Sequence, residues 1–188
     1  MENIGSNFGS FVVIFLFVIV LLIIWLIIER NKFLDAEVKI NEAFSGIDIA
    51  LERRYDAVRQ CFASAKNYVN HEQEIILSST KYRSGMGPSE LSKLDENIKQ
   101  SITTINAVAE NYPKLKADAL FIKLQDTIND TEDILQASRR IYNSNVSIYN
   151  KLVVLFPTSI IAVFFGFKEK DFYKASDEKR DGFEIPLG

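Results

Sequence analysis

One cysteine, one histidine and no catalytic fingerprint leave these 188 residues little with which to do chemistry. Cys61, being alone, cannot close an internal disulfide, in keeping with a reducing compartment. His71 sits in HEQEI without the second His at i+4 that a zinc-binding helix needs, which excludes a histidine-based metal site within one chain. The eight glycines are scattered and spell no P-loop, GxGxxG or GxSxG. Cys61 and His71 pair as nucleophile and base only on paper: ten helical residues hold them about 15 Å apart on different faces. Cys61 is therefore expected to be a small buried apolar side chain. Strand signals of any weight are missing as well.

Basic residues are absent before Arg30. The net charge is −3, and Glu2 is the only charge ahead of position 29, so residues 29–188 carry −2. That balance gives no reason to expect a nucleic-acid partner.

What is present is a long apolar run. Phe11 to Ile28 contains no polar residue, and as a helix it would rise about 27 Å, close to the ~30 Å hydrocarbon thickness of a bilayer. No other segment is apolar enough to cover its whole circumference, so its expected environment is lipid. A cleaved signal would begin with basic residues, have a shorter core and exit through small residues. This chain begins MENIGSNFGS and exits as Glu29-Arg30-Asn31-Lys32. Arg30, Lys32 and Lys39 follow the run and none precede it, so the positive-inside tendency predicts a short outer N-terminus (1–10), a span (11–28) and a cytoplasmic remainder. Trp25 near the inner end suits the interfacial aromatic preference.

Three helical stripes follow. Ile40, Phe44, Ile47, Leu51, Tyr55, Val58, Phe62, Ala65 and Val69 recur at steps of three or four, predicting a first helix to about Tyr82, separated from the span by no breaker but Gly46. Ser84-Gly85-Met86-Gly87-Pro88 interrupts, Leu91 to Tyr112 forms a second helix, and Pro113 stops it. Leu120 to Phe156 forms a third, ending before Pro157. The expected fold class is all-α: one transmembrane helix, then an up-and-down antiparallel bundle (29–168) of three long helices plus a short C-terminal one, and a polar tail (169–188). Because 34–82 would span about 73 Å and 88–112 only about 37 Å, an extended link at 112–117 would let the third helix run parallel to the first, its end distal to the bilayer.

Arg54 and Arg139 border the apolar stripes and need partners, since an unpaired buried charge is costly; Asp48, Asp56, Glu110 and Glu132 are the candidates. These, with the polar seam residues Thr131, Ser138 and Asn145, read as structural polar contacts. Asp126, Asn129, Asp130, Glu132 and Asp133 read as a solvated face rather than a cation site. Ile160, Ile161, Val163, Phe164, Phe165 and Phe167 form an apolar patch too short to span, expected to cap the bundle, to dip into lipid or to grip a partner.

The segments EAFSGIDIALERRYDAV, AVAENYPKLKADALFIKLQ, TEDILQASRRIYNSNVSIYN, FPTSIIA and FGFKEKDFY resemble the LemA family of bacterial membrane proteins, over nearly the whole chain and in order. Two departures stand out. Phe44 replaces the family's usual Trp, and Asp56-Ala57-Val58-Arg59-Gln60-Cys61 lacks its usual proline, implying a straighter first helix. The resemblance implies a single anchor in the bacterial cytoplasmic membrane and a cytoplasmic helical bundle; it implies no catalytic residues. The expected function is a membrane-anchored scaffold or adaptor, not an enzyme and without cofactors. Its expected partners are the bilayer through 11–28, another membrane or cytoplasmic protein, or further copies of itself. The rival expectations are a sensor of membrane state, a signalling component and an accessory to a membrane peptidase.

Overall fold

The computed structural model describes residues 2–66, 82–83 and 85–173, with side chains from Phe11 onward. Every regular element among them is helical. Helix α1 runs Glu2–Ala65 unbroken, so the apolar run and the first stripe belong to one helix. Past the run its only glycine is Gly46, and the reason is space: a Cβ there would meet Ser138 Oγ at 3.2 Å.

Helix α2, Pro88–Asn111, opens where the breaker predicts, with Pro at its first position and the Gly87 N–H donating to Glu90 Oε2 at 2.9 Å. The single turn α3, Pro113–Lys116, follows, and the N–H groups of Leu115 and Lys116 both return to Tyr112 O. Asp118 then caps α4, Ala119–Val154: its Oδ1 accepts from the Leu120 and Phe121 N–H groups at 2.8 and 3.1 Å. The link at 112–117 is thus a compact turn, not the extended run expected. Helix α5, Thr158–Phe165, ends on Gly166 in the left-handed region (φ 75°), with the Phe167 N–H donating to Ala162 O.

The chain divides into two compact units: a terminal unit of Met1–Ile40 with Asn145–Lys170, and a central unit of Asn41–Ser144 with Asp171–Gly188. In the central unit the three stripes form one core. Ile47, Leu51 and Val58 of α1 are fully buried, as are Leu91 and Ile105 of α2 and Leu135 of α4. Burying each such side chain contributes about 1.5–3 kcal/mol.

Contacts within that unit correct the expected helix directions. Phe44 meets Tyr142, Gly46 meets Ser138, and Arg54 meets Glu132, so α4 descends in number as α1 ascends. The two are antiparallel, not parallel. Asn106 accepts from Gln125 and Asp95 from Arg139, so α4 is antiparallel to α2 as well. The expectation failed because it carried α1 on to Tyr82. Instead the Tyr82 hydroxyl donates to Asp48 at 3.0 Å, 34 residues back, which a continuous helix would have placed about 51 Å away. Val69, His71 and the polar stretch from Asp177 lie outside the described residues.

Candidate functional site

In the terminal unit, α1 and α4 are again antiparallel: Asn145 Nδ2 donates to Lys39 O at 2.9 Å, and Phe33 meets Tyr149 edge-on, ring centres 6.0 Å apart. The C-terminal end of α4 therefore lies beside the start of the charged segment of α1, not at a far end. Phe33 has no exposure and is stacked face to face on Phe167 at 4.6 Å. Asn150 fixes the chain just beyond: its Nδ2 donates to Lys170 O and its Oδ1 accepts from Lys170 N, both at 2.9 Å. The Lys170 ammonium then pairs with Glu37 at 2.8 Å and lies over the Tyr149 ring.

The apolar patch divides on this frame. Ile161, together with Ala162, is buried, and Phe167 is held against Phe33. Ile160, Val163, Phe164 and Phe165 are exposed, Val163 by 84% and Phe164 by 78%. Phe165 lies under the Arg30 guanidinium, 5.6 Å from carbon to ring centre. Val154, Leu155 and Phe156 extend the exposed apolar surface, and the sequence reading missed them by counting Phe156 within the buried stripe. The signal was available: Pro157 disfavours helical geometry at Phe156, and α4 stops at Val154, two residues short of the stripe's expected end.

The central unit holds the other polar constellation. Arg54, only 5% exposed, binds Asp95 Oδ1 at 3.0 Å and also pairs with Glu132. Arg139 meets Asp95 Oδ2 at 2.7 Å and lies over the Tyr173 ring, and Lys99 reaches the same oxygen at 3.0 Å. Of the partners expected, Glu132 is used. Asp48 serves Tyr82 instead, while Asp56 and Glu110 face solvent. Asp95, which joins all three cations, was passed over, although it occupies the apolar register Leu91, Asp95, Ile98, Ile102. Glu132 turns inward, while Asp126, Asn129, Asp130 and Asp133 are exposed. Among the described residues no three acidic, His or Cys side chains come together as a cation site would require.

Burial also sets the state of the remaining reactive groups. It pushes the Cys61 thiol up to about 11, so the thiol is protonated and shielded at neutral pH. Burial pushes Tyr82 up to about 12, with the bond to Asp48 adding to it, and carries Tyr173 to about 12 despite the opposing Arg139 charge. Asn143 clamps Tyr173 as Asn150 clamps Lys170, accepting from its N–H at 2.8 Å and donating to its O at 3.0 Å.

The model of the LemA family matches residues 43–186, which takes in both the central helices and the clamped segment. The chain belongs to the LemA family. Protein LemA of Metamycoplasma hominis is 27% identical over 157 residues, covering 81% of this chain and 72% of that one. Within the matched region the Phe44 ring meets Tyr142, centres 5.8 Å apart. Helix α1 continues unbroken through Asp56–Cys61, as the lack of a proline there predicts. Its first apolar stretch makes it the one described helix long and apolar enough to cross a membrane.

Proposed function

We propose that this LemA-family chain is a membrane-anchored, non-catalytic scaffold that presents its helical bundle to a protein partner or to further copies of itself. The observation that carries this reading is the run Phe11–Ile28: most of its side chains are about half-exposed, and none of the described residues covers its most apolar window. Arg30, Lys32 and Lys39 after the run support a cytoplasmic bundle with the N-terminus outside. The bundle's polar constellation reads as structural, since its carboxylates are already engaged by arginines.

Two exposed isoleucines of the central unit, Ile134 and Ile141, stand two turns apart on α4 and suit a helical partner. Crosslinking in native membranes, read by mass spectrometry, tests this. A scaffold should give crosslinks from this face that Ile134→Asp with Ile141→Asp abolishes while helicity is kept. Crosslinks unchanged by the double variant would refute the assignment. External protease should leave the bundle intact, and digestion of the bulk of the chain would refute the orientation.

A sensor of membrane state is the second reading, favoured by the continuity of α1 beyond the apolar run. Exchanging Phe11–Ile28 for an unrelated apolar span of equal length separates the two. A scaffold tolerates the exchange; a sensor does not.

A further inference from the structure

We infer that α5 and the end of α4 form a second membrane contact, lying flat in the headgroup–acyl boundary of the same leaflet from which α1 emerges. The inference rests on the anchoring of Phe11–Ile28. It begins from charge: residues 152–167 contain no charged side chain, and the stretch is bracketed by two exposed lysines, Lys151 and Lys168. An interfacial segment has this pattern, with apolar side chains inward and long basic ones reaching back to the phosphates.

Depth agrees. Tyr149 lies opposite Phe33, and five further residues of α4 rise about 7.5 Å, bringing Val154 level with the last residues of the apolar run. Arg30, two residues after that run, covers Phe165, which puts α5 at the same level.

Orientation agrees too. The axis of α5 turns 91° from that of α4, which lies antiparallel to α1 in this unit, so α5 crosses the anchor at about a right angle, as a helix in the membrane plane must. Ile161 and Ala162 secure it to the protein. Phe156, Ile160, Val163 and Phe164 are left outward, a continuous apolar surface that water would disfavour. Outside the run, Glu29–Ile40 and Asn145–Lys170 carry six Lys and Arg against four Asp and Glu, a balance suited to an anionic leaflet. The partner this surface fits is lipid.

The test uses the full chain in vesicles of equal parts phosphatidylcholine and phosphatidylglycerol, with an environment-sensitive fluorophore on Val163→Cys. Ile23→Cys and Asp130→Cys serve as controls, the latter exposed and away from the proposed partner face, and buried Cys61 is changed to Ala. Lipids spin-labelled near the headgroup should quench the Val163 position strongly, while aqueous iodide should not, and its emission should shift to the blue. Ile23 should respond only to lipids labelled deep in the chains, and position 130 only to iodide. Quenching of position 163 by iodide alone would overturn the inference while leaving the anchor intact. Shielding from both quenchers would also overturn it, indicating a protein or a second copy on the patch. Failure of any lipid to quench Ile23 would remove the anchoring reading itself.

Discussion

Arg139 Nη2 lies 2.7 Å from Asp95 Oδ2, tying α4 to α2 across 44 residues of sequence. Arg54 holds the other oxygen of the same carboxylate at 3.0 Å, so one acidic side chain fastens three helices. Breaking a buried pair by removing one partner leaves uncompensated charge and costs about 3–5 kcal/mol. Asp95→Asn should lower stability by that order in denaturant unfolding of the detergent-solubilised chain. Lys99, far more exposed, should lose little when changed to Met. A loss below about 1 kcal/mol for Asp95→Asn, the worth of an exposed pair, would show that the network is solvated.

Gly46 gives a second prediction. Alanine gains about 1 kcal/mol over glycine inside a helix, but here its Cβ would press on Ser138 Oγ at 3.2 Å. Removing that oxygen leaves the Ser138 Cβ at 3.7 Å, an ordinary contact. Gly46→Ala should therefore stabilise by about 1 kcal/mol in a Ser138→Ala background and by visibly less alone. Equal gains in both backgrounds, measured by thermal melts, would mean that Ser138 does not limit the approach.

Alkaline pH should unfold the central unit through its tyrosines. Tyr173 is buried and titrates at about 12 in the folded chain, against about 10 when unfolded. The folded state thus keeps a proton that the unfolded state has released. Stability is whole below pH ~10 and falls as pH rises toward ~12, by on the order of 2–3 kcal/mol for this residue. Tyr82 shifts in the same direction. Tyrosinate absorbance should show late-titrating tyrosines that Tyr173→Phe and Tyr82→Phe each diminish.

Asn150 makes an asymmetric prediction. Asn150→Asp keeps an acceptor for the Lys170 N–H but loses the donor to Lys170 O, while Asn150→Ala loses both. Each bond contributes roughly 0.5–1.5 kcal/mol. Hydrogen exchange at the Lys170 amide should quicken in the alanine variant and much less in the aspartate one. Equal quickening would assign the hold to the bond donated to Lys170 O, lost in both variants, and no quickening in either would place it on the Lys170–Glu37 pair.

Much of this was legible beforehand. The stripes at Ile47, Leu51 and Val58, at Leu91, Leu94 and Ile98, and at Leu124, Ile128 and Leu135 are the core. The breakers at Gly87-Pro88, Pro113 and Pro157 stand at helix ends, because period and ring chemistry act locally. Direction was not legible. A stripe reads the same for a parallel and an antiparallel neighbour, and only long-range pairs such as Tyr82 with Asp48 decide it. The apolar patch was visible as composition. That Ile161 and Phe167 turn inward while Phe156 turns out follows from the 91° bend after α4, which periodicity along one helix does not encode. Asp95 was readable, as an acid placed in an apolar register, but its three cations come from two other helices and from its own next turn.

The stacking of Phe33 on Phe167 also bears on how the protein is made. Phe33 leaves the ribosome long before the aromatic rings that cover it, Tyr149 and Phe167, which are synthesised more than a hundred residues later. At ~5–20 residues per second the nascent chain carries that ring uncovered for on the order of ten seconds. The α1 side of this contact must therefore wait for the end of α4 and the segment after α5 before it is closed.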